Sequence, residues 1–399
     1  MRPKHTQHQL ASFPVYSCAF LSERSLVIGG GGGASRSGIK NKLRLYEVTE
    51  DRQIEQRAEF ELDKGEDAPM SLAAHPESKT VVCGINSTEE NLLKGINHNC
   101  RAFSVGDTII SLLQKQSTLS GEDLEDYQKV TVLSPDGTLL AVAGAHDFSL
   151  LSYPSLQPVS TSTHVEKEIY DVAFVSNTLV VTTTHSLQVY ELPTSSQPSS
   201  PSRSKSKKGK GKAANGINNV SVLSLKKTVD VPSASVGEGG TFRAIRIHPS
   251  KDDIVYTLIN TVAPRSRQKK GPSRQGYVVK WKIDSWSVEK SRKIGDKGIT
   301  CFDISPDGRY IGFGSSDLSV GMVDTTTLAP VATILKAHEF PPTFVRFNPS
   351  SAILVSGSAD SSLRVISIPQ GADGPGFSLI LLAIMIIILA FIAQAYLKP

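Results

Sequence analysis

The sequence predicts an all-β fold: a seven-bladed β-propeller over residues 1–370, then a hinge at 371–376, one C-terminal transmembrane helix at 377–397 and a two-residue tail. Three observations predict it. Between residues 13 and 368 one unit recurs, in which an alternating strand, a tight polar turn and a second apolar strand lead into a third strand and a weaker fourth. Helical periodicity is nearly absent from the same stretch. Phe377 to Leu397, FSLILLAIMIIILAFIAQAYL, carries no charge and as a helix would rise about 30 Å, the thickness of a bilayer's hydrocarbon core.

The turns set the register of the units. They are Leu21-Ser22-Glu23-Arg24, His75-Pro76-Glu77-Ser78, Ser134-Pro135-Asp136-Gly137, Val175-Ser176-Asn177, His248-Pro249-Ser250-Lys251, Ser305-Pro306-Asp307-Gly308 and Asn348-Pro349-Ser350-Ser351. Proline presets φ for a turn and Asp-Gly tolerates positive φ, which is what a short connection between strands demands. Once visible insertions are set aside, the spacing returns toward the ~40–45-residue period of a four-stranded propeller blade. The N-terminal segment His5 to Ser12 is expected to supply the strand that closes the last blade.

The first unit is interrupted by Gly29 to Asn41, GGGGGASRSGIKN. Five glycines after Leu26-Val27-Ile28 have no use in a strand interior, where each costs about 0.5–1 kcal/mol relative to alanine, so the run is expected to be an exposed loop of unusual shape. Leu43 to Val48 then resumes the alternation of a strand. Gly33 and Gly38 supply the outer glycines of a phosphate-binding G-x-x-x-x-G-K-[ST], but Ile39 stands where its lysine belongs and no helix pattern follows. No G-x-G-x-x-G is present either. A working loop and a flexible hairpin tip both remain open from the pattern alone.

Two insertions hold much of the basic excess, in a chain of 43 Lys and Arg against 38 Asp and Glu with a formal +5. Residues 194–219 pack Arg203, Lys205, Lys207, Lys208, Lys210 and Lys212 into a segment with too little apolar content to fold, and residues 264–274 repeat the theme as a basic loop. Attraction to anionic lipid or nucleic acid is one reading and a solvated loop the other. No aromatic residue interleaves with the basic ones, which argues against a single-strand stacking platform, so nucleic acid is not an expected partner.

The four cysteines, Cys18, Cys83, Cys100 and Cys301, are far apart and read as small buried hydrophobes in a reducing compartment. No apolar stretch follows Met1, so residues 1 to about 370 are expected in the cytosol, with the apolar segment as a tail anchor inserted after synthesis. The nine histidines form no H-E-x-x-H or Cys/His spacing, and no G-x-S-x-G elbow meets a helix. Bond-making chemistry is therefore not expected.

The last units resemble WD repeats. Leu335-Lys336-Ala337-His338 is similar to the Gly-His start of such a blade, and Val355 to Ile366 follows the rest, with Ile366 in place of the tryptophan. A propeller whose first blade carries a glycine run ending in Gly38-Ile39-Lys40-Asn41, followed by Lys42-Leu43, and whose chain ends in an apolar segment, resembles the endoplasmic-reticulum exchange factors of the prolactin regulatory element-binding protein family. The resemblance covers the whole chain. It implies a guanine-nucleotide exchange factor for the small GTPase that initiates coat protein complex II budding, single-pass in the endoplasmic reticulum membrane with its C-terminus luminal. It implies that the loop enters the GTPase, with Asn41, Gly38 and Ile39 carrying the exchange step. It also implies a potassium ion held by Asn41 and by backbone carbonyls of Gly31, Gly32 and Gly33, and contacts from Pro69 and His338 on the same rim. In ordinary WD repeats the comparable histidine is a buried structural hydrogen-bonder, so His338 has two readings. A membrane-tethered scaffold for trafficking proteins without exchange activity is the alternative function.

Overall fold

Seven four-stranded antiparallel sheets form a ring in the computed structural model, which describes residues 3–34, 37–121, 123–193, 222–262 and 274–368 together with 385, 386 and 388. Blade 1 runs outward from the centre through Val15–Phe20, Ser25–Gly30, Lys42–Val48 and Ile54–Glu61. Blades 2 to 6 repeat this order within residues 71–116, 130–164, 169–230, 241–295 and 299–334. Every one of the seven predicted turns joins the first and second strands of a blade.

Burial follows the strand sequences. Second strands such as Thr80–Gly84, TVVCG, are mainly apolar and buried along their length, because neighbouring blades cover both faces. Fourth strands such as Ile54–Glu61, IEQRAEFE, are largely exposed. The core is a series of layers between adjacent blades: Val27, Leu43, Val81 and Phe103 pack where blade 1 meets blade 2, and Leu26, Ile28, Phe344 and Val365 where blade 7 meets blade 1.

The ring closes as the sequence predicts, with a shorter strand. His5–Gln9 becomes the fourth strand of blade 7, pairing from His5↔Ile366 to Gln9↔Ser362. Leu10 already leaves the ladder to donate its N–H to the Ser361 carbonyl at 2.7 Å. Buried Arg364 clamps the seam. Its Nη2 donates to Gln7 Oε1 at 2.7 Å, and its Nε and Nη2 both donate to the Ala337 carbonyl.

Because strands alternate in direction, the ring has two unlike faces. The seven turns lie on one, here the turn face; the glycine loop and the connections between blades lie on the other, the loop face. The chain leaves the last blade on the turn face, where the Ile368 N–H bonds the carbonyl of Ala352 at 2.9 Å. Leu192, just before the first insertion, is tied to the same face by its bond to the Asn177 carbonyl at 3.2 Å.

The insertion at 194–219 and the basic loop at 264–274 lie outside the described residues, except that Arg274 is not loop but the first residue of the third strand of blade 5, paired with Val262. The apolar segment 377–397 also lies outside them apart from 385, 386 and 388; among the described residues no helix is long and apolar enough to cross a membrane. Cys18, Cys83 and Cys100 are buried, and burial pushes all four thiols up, those of Cys100 and Cys301 to about 12.

Candidate functional site

The glycine run is not all loop, contrary to the expectation from sequence. Gly29 and Gly30 are buried ladder residues of blade 1, paired with Ser17 and Val15 on one side and with Leu43 and Lys42 on the other. Their need for glycine is close approach, not turning. A Cβ at Gly29 would stand 2.5 Å from Ser17 Oγ and 2.6 Å from Pro69 Cβ, and one at Gly30 would strike the Pro14 carbonyl. The turn begins at Gly31, whose N–H bonds that same Pro14 carbonyl at 2.9 Å. Gly31, Gly33 and Gly38 have φ of 137°, 70° and 78°, a region that disfavours any side chain.

Asn41 holds the two limbs of the loop together. It is buried, and its carboxamide makes three hydrogen bonds that leave one Oδ1 lone pair over: Oδ1 accepts the Gly33 N–H at 2.9 Å, while Nδ2 donates to the Gly33 carbonyl at 2.9 Å and the Glu66 carbonyl at 2.7 Å. Its backbone carbonyl accepts from Leu62 N–H at 2.9 Å, so the strand register of blade 1 fixes the side chain. Gly38 and Ile39 lie at the outer end, where nothing stands within 4 Å of the place a Gly38 Cβ would take. Below them Lys40 pairs with Glu61 at 2.5 Å, and Lys42 and Arg44 with Glu59. Burial alone would raise the Glu59 carboxyl, but the two cations hold it below its ordinary value.

The glycines are crowded by neutral oxygens. Ser37 Oγ and the Ile39 carbonyl stand where a Gly32 Cβ would be, and the Lys40 carbonyl and Asn41 Oδ1 where a Gly31 Cβ would be. Among the described residues no three of His, Cys, Asp and Glu converge as a metal site. Gly33 differs, since Asp67 Oδ1 would stand 3.3 Å from a Cβ there; carbonyl, hydroxyl and carboxamide oxygens with a single carboxylate nearby suit a large monovalent cation better than calcium or magnesium, whose sites typically gather several carboxylates.

Pro69, expected on the rim as a partner contact, is instead packed behind the loop, next to an ion pair that the sequence did not single out. Pro69, buried beside Gly29, receives the Ser17 hydroxyl on its carbonyl at 2.6 Å. Three residues earlier, Glu66 pairs with Arg101 of blade 2 at 2.7 Å, with side chains 9% and 2% exposed. The signal was Arg101 itself, set in Cys100-Arg101-Ala102-Phe103 where every neighbour is apolar; an arginine in a buried strand requires a buried acid.

The likeness to known proteins is local in one respect and chain-wide in another. Residues 329–367, blade 7 and its approach, match the WD domain, G-beta repeat. Over 99% of its length the chain is 24% identical to guanine nucleotide-exchange factor SEC12 of Candida glabrata, spanning 80% of that protein. Over 96% it is 23% identical to guanine nucleotide-exchange factor SEC12 of Mus musculus, spanning 95%, and over 86% it is 24% identical to SEC12-like protein 2 of Arabidopsis thaliana, spanning 75%. Over most of its length the chain is similar to SEC12 exchange factors of a yeast, a mammal and a plant. The resemblance drawn from the glycine loop and the WD-like blades therefore holds, and the SEC12 likeness runs through the whole propeller rather than one repeat.

In the WD repeat shared with other proteins, His338 sits inside blade 7. It is 3% exposed, with Nε2 against Ser356 Oγ at 2.8 Å and Nδ1 against Ser362 Oγ at 2.7 Å, and Ser362 in turn donates to Asp360 at 2.6 Å. No edge of the ring is free for a direct contact. Burial lowers its pKa to about 4, outweighing the Asp360 carboxylate, which works the other way. Since the folded value lies below the unfolded 6.5, the unfolded chain binds the extra proton between those values. Stability from this group is thus complete above about pH 6.5 and lost as pH falls toward 4, on the order of 3 kcal/mol in all. Thermal melts across pH 7 to 4 should fall less steeply for His338→Gln than for wild type.

Large apolar side chains are exposed on the loop face to either side of blade 1. Leu335 and Phe340, in the connection from blade 6 to blade 7, are 77% and 58% exposed; Leu93 and Ile96, in the loop joining the second and third strands of blade 2, are exposed too. Leu93 closes the short helix Glu89–Leu93, which Thr88 caps by accepting from the Asn91 N–H.

Proposed function

We infer that this chain is a guanine-nucleotide exchange factor that promotes GDP release from the small GTPase initiating coat protein complex II budding, acting at the endoplasmic reticulum membrane through its C-terminal apolar segment. The observation that carries the reading is the glycine loop, which leaves the ladder of an otherwise regular blade at Gly31, rejoins it at Lys42 and is held at the base by buried Asn41. A mere hairpin tip would need no such internal fastening. The SEC12 names of the relatives supply the activity.

The ring contributes no bond-making step. An exchange factor works by binding the nucleotide-free GTPase better than the loaded one, since a partner binding both equally would shift nothing. Gly38 and Ile39, at the exposed end, are the residues placed to enter the partner, and Leu93, Phe340 and Leu335 offer apolar contact around them. Asn41, Gly31, Gly32 and Gly33 would hold potassium. Bound there, the ion supplies a fixed positive charge that gathers the loop's carbonyls. Pro69 supports the loop from behind, and His338 acts only through the shape of blade 7.

The test is an exchange assay with residues 1–370 against a panel of small GTPases. Substoichiometric protein should accelerate GDP release many-fold on the coat-initiating GTPase alone. Binding to that GTPase without acceleration would favour the tethered scaffold instead.

A further inference from the structure

We propose that Glu66 and Arg101 are positioning residues for the glycine loop, a buried ion pair in one blade that fixes the working element of the next. This rests on the exchange reading above. The connection is continuous. Arg101 Nη1 holds Glu66 Oε1 at 2.7 Å; the Glu66 carbonyl receives Asn41 Nδ2 at 2.7 Å; and Asn41 Oδ1 receives the Gly33 N–H at 2.9 Å. Each member is buried or nearly so except Gly33, which stands where the loop meets solvent.

Glu66 is held from both sides. Its other carboxylate oxygen, Oε2, accepts the Asp63 N–H at 3.2 Å, its own N–H bonds the Asp63 carbonyl at 3.1 Å, and the next N–H, of Asp67, bonds the Asn86 carbonyl of blade 2 at 3.1 Å. Arg101 is anchored by its Nε to the His98 carbonyl at 2.9 Å. The pair thus sets the height of one carbonyl, and that carbonyl decides which way the Asn41 carboxamide faces. A buried ion pair is a costly way to fill a core, where well-packed apolar residues serve stability as well or better; its attested use is to fix one arrangement among several. The side-chain nitrogen Nη2 of Arg101 is buried without a hydrogen-bond partner, so the arginine is not there because the site satisfies it fully.

The decisive variant removes both charges together, Glu66→Gln with Arg101→Met in the full chain, so that no lone charge stays buried. Its melting temperature should remain close to wild type. In glycine-labelled protein without any GTPase, NMR hydrogen exchange at the Gly33 amide should quicken at least about tenfold. The Gly31 amide, which bonds Pro14 outside this connection, should stay protected. Nucleotide exchange should fall at least about tenfold. A folded double variant with Gly33 still protected, or with Gly33 loosened and nucleotide exchange at the wild-type rate, overturns the proposal. Should the double variant fail to fold, Glu66→Gln alone, which keeps a hydrogen bond to Arg101 but drops the charge, is judged by the same two readings. Wild-type protein that accelerates no GTPase while the Gly33 amide still responds to the double variant would sink the exchange reading and leave the positioning role standing.

Discussion

Replacing Asn41 by alanine is expected to slow nucleotide exchange by at least about tenfold, because about 1.4 kcal/mol of lost preference for the nucleotide-free complex is already that much. The variant should fold. It leaves the Gly33 N–H and the Glu66 carbonyl without their partner, each costing about 1–3 kcal/mol where water cannot reach, so the melting temperature should drop by several degrees. Asn41→Asp should be no better than alanine, since a carboxylate oxygen would then face the carbonyls of Gly33 and Glu66, both of which now accept from Nδ2. Monovalent salt supplies the control: wild-type exchange should run faster in potassium than in lithium at equal ionic strength, and the alanine variant should be slow in both. Exchange at the wild-type rate by a folded Asn41→Ala protein would remove the loop from the function.

The second large effect concerns the seam. Deleting residues 1–9 strips the fourth strand from blade 7, exposing the edge of Ser362–Ser367 and depriving Arg364 of Gln7 and His5. Unpaired strand edges invite association, so the truncated protein should elute as larger species and melt at least roughly 10 °C lower. A peptide of residues 3–12 added in excess should recover part of the loss by strand addition. A truncated ring that stays monomeric and melts like wild type would mean that the blades hold together without this pairing.

Much of this was written locally in the chain. Short polar turns, four of them Pro-Asp-Gly or Pro-Ser, mark the blades because turn geometry is a property of a few adjacent residues, and all seven fell between first and second strands. Arg101 announced a buried partner by its apolar neighbours, yet could not name Glu66. The glycine run was legible only in part. Gly29 must be glycine on account of Ser17 and Pro69, and Gly30 on account of Pro14, contacts made when strands and blades come together. For the same reason Asn41 reads as an exposed loop residue in sequence and is a buried one in the fold, with Glu66 brought to it from the connection between blades. Close approach of backbones leaves a glycine behind but no record of its neighbour.

The opposition of the two faces makes the propeller a spacer. Strands of five to seven residues such as Pro342–Phe347 and Lys42–Val48, at ~3.3 Å per residue, separate the point where the chain leaves blade 7 from the glycine loop by roughly 20 Å. If the apolar segment beyond Ile368 anchors the chain, as proposed, the anchor pulls on the side away from the loop. Such an anchor would leave the loop face open to a partner from solution, and lengthening the link to it should alter how far the ring can roam without altering how the loop is presented.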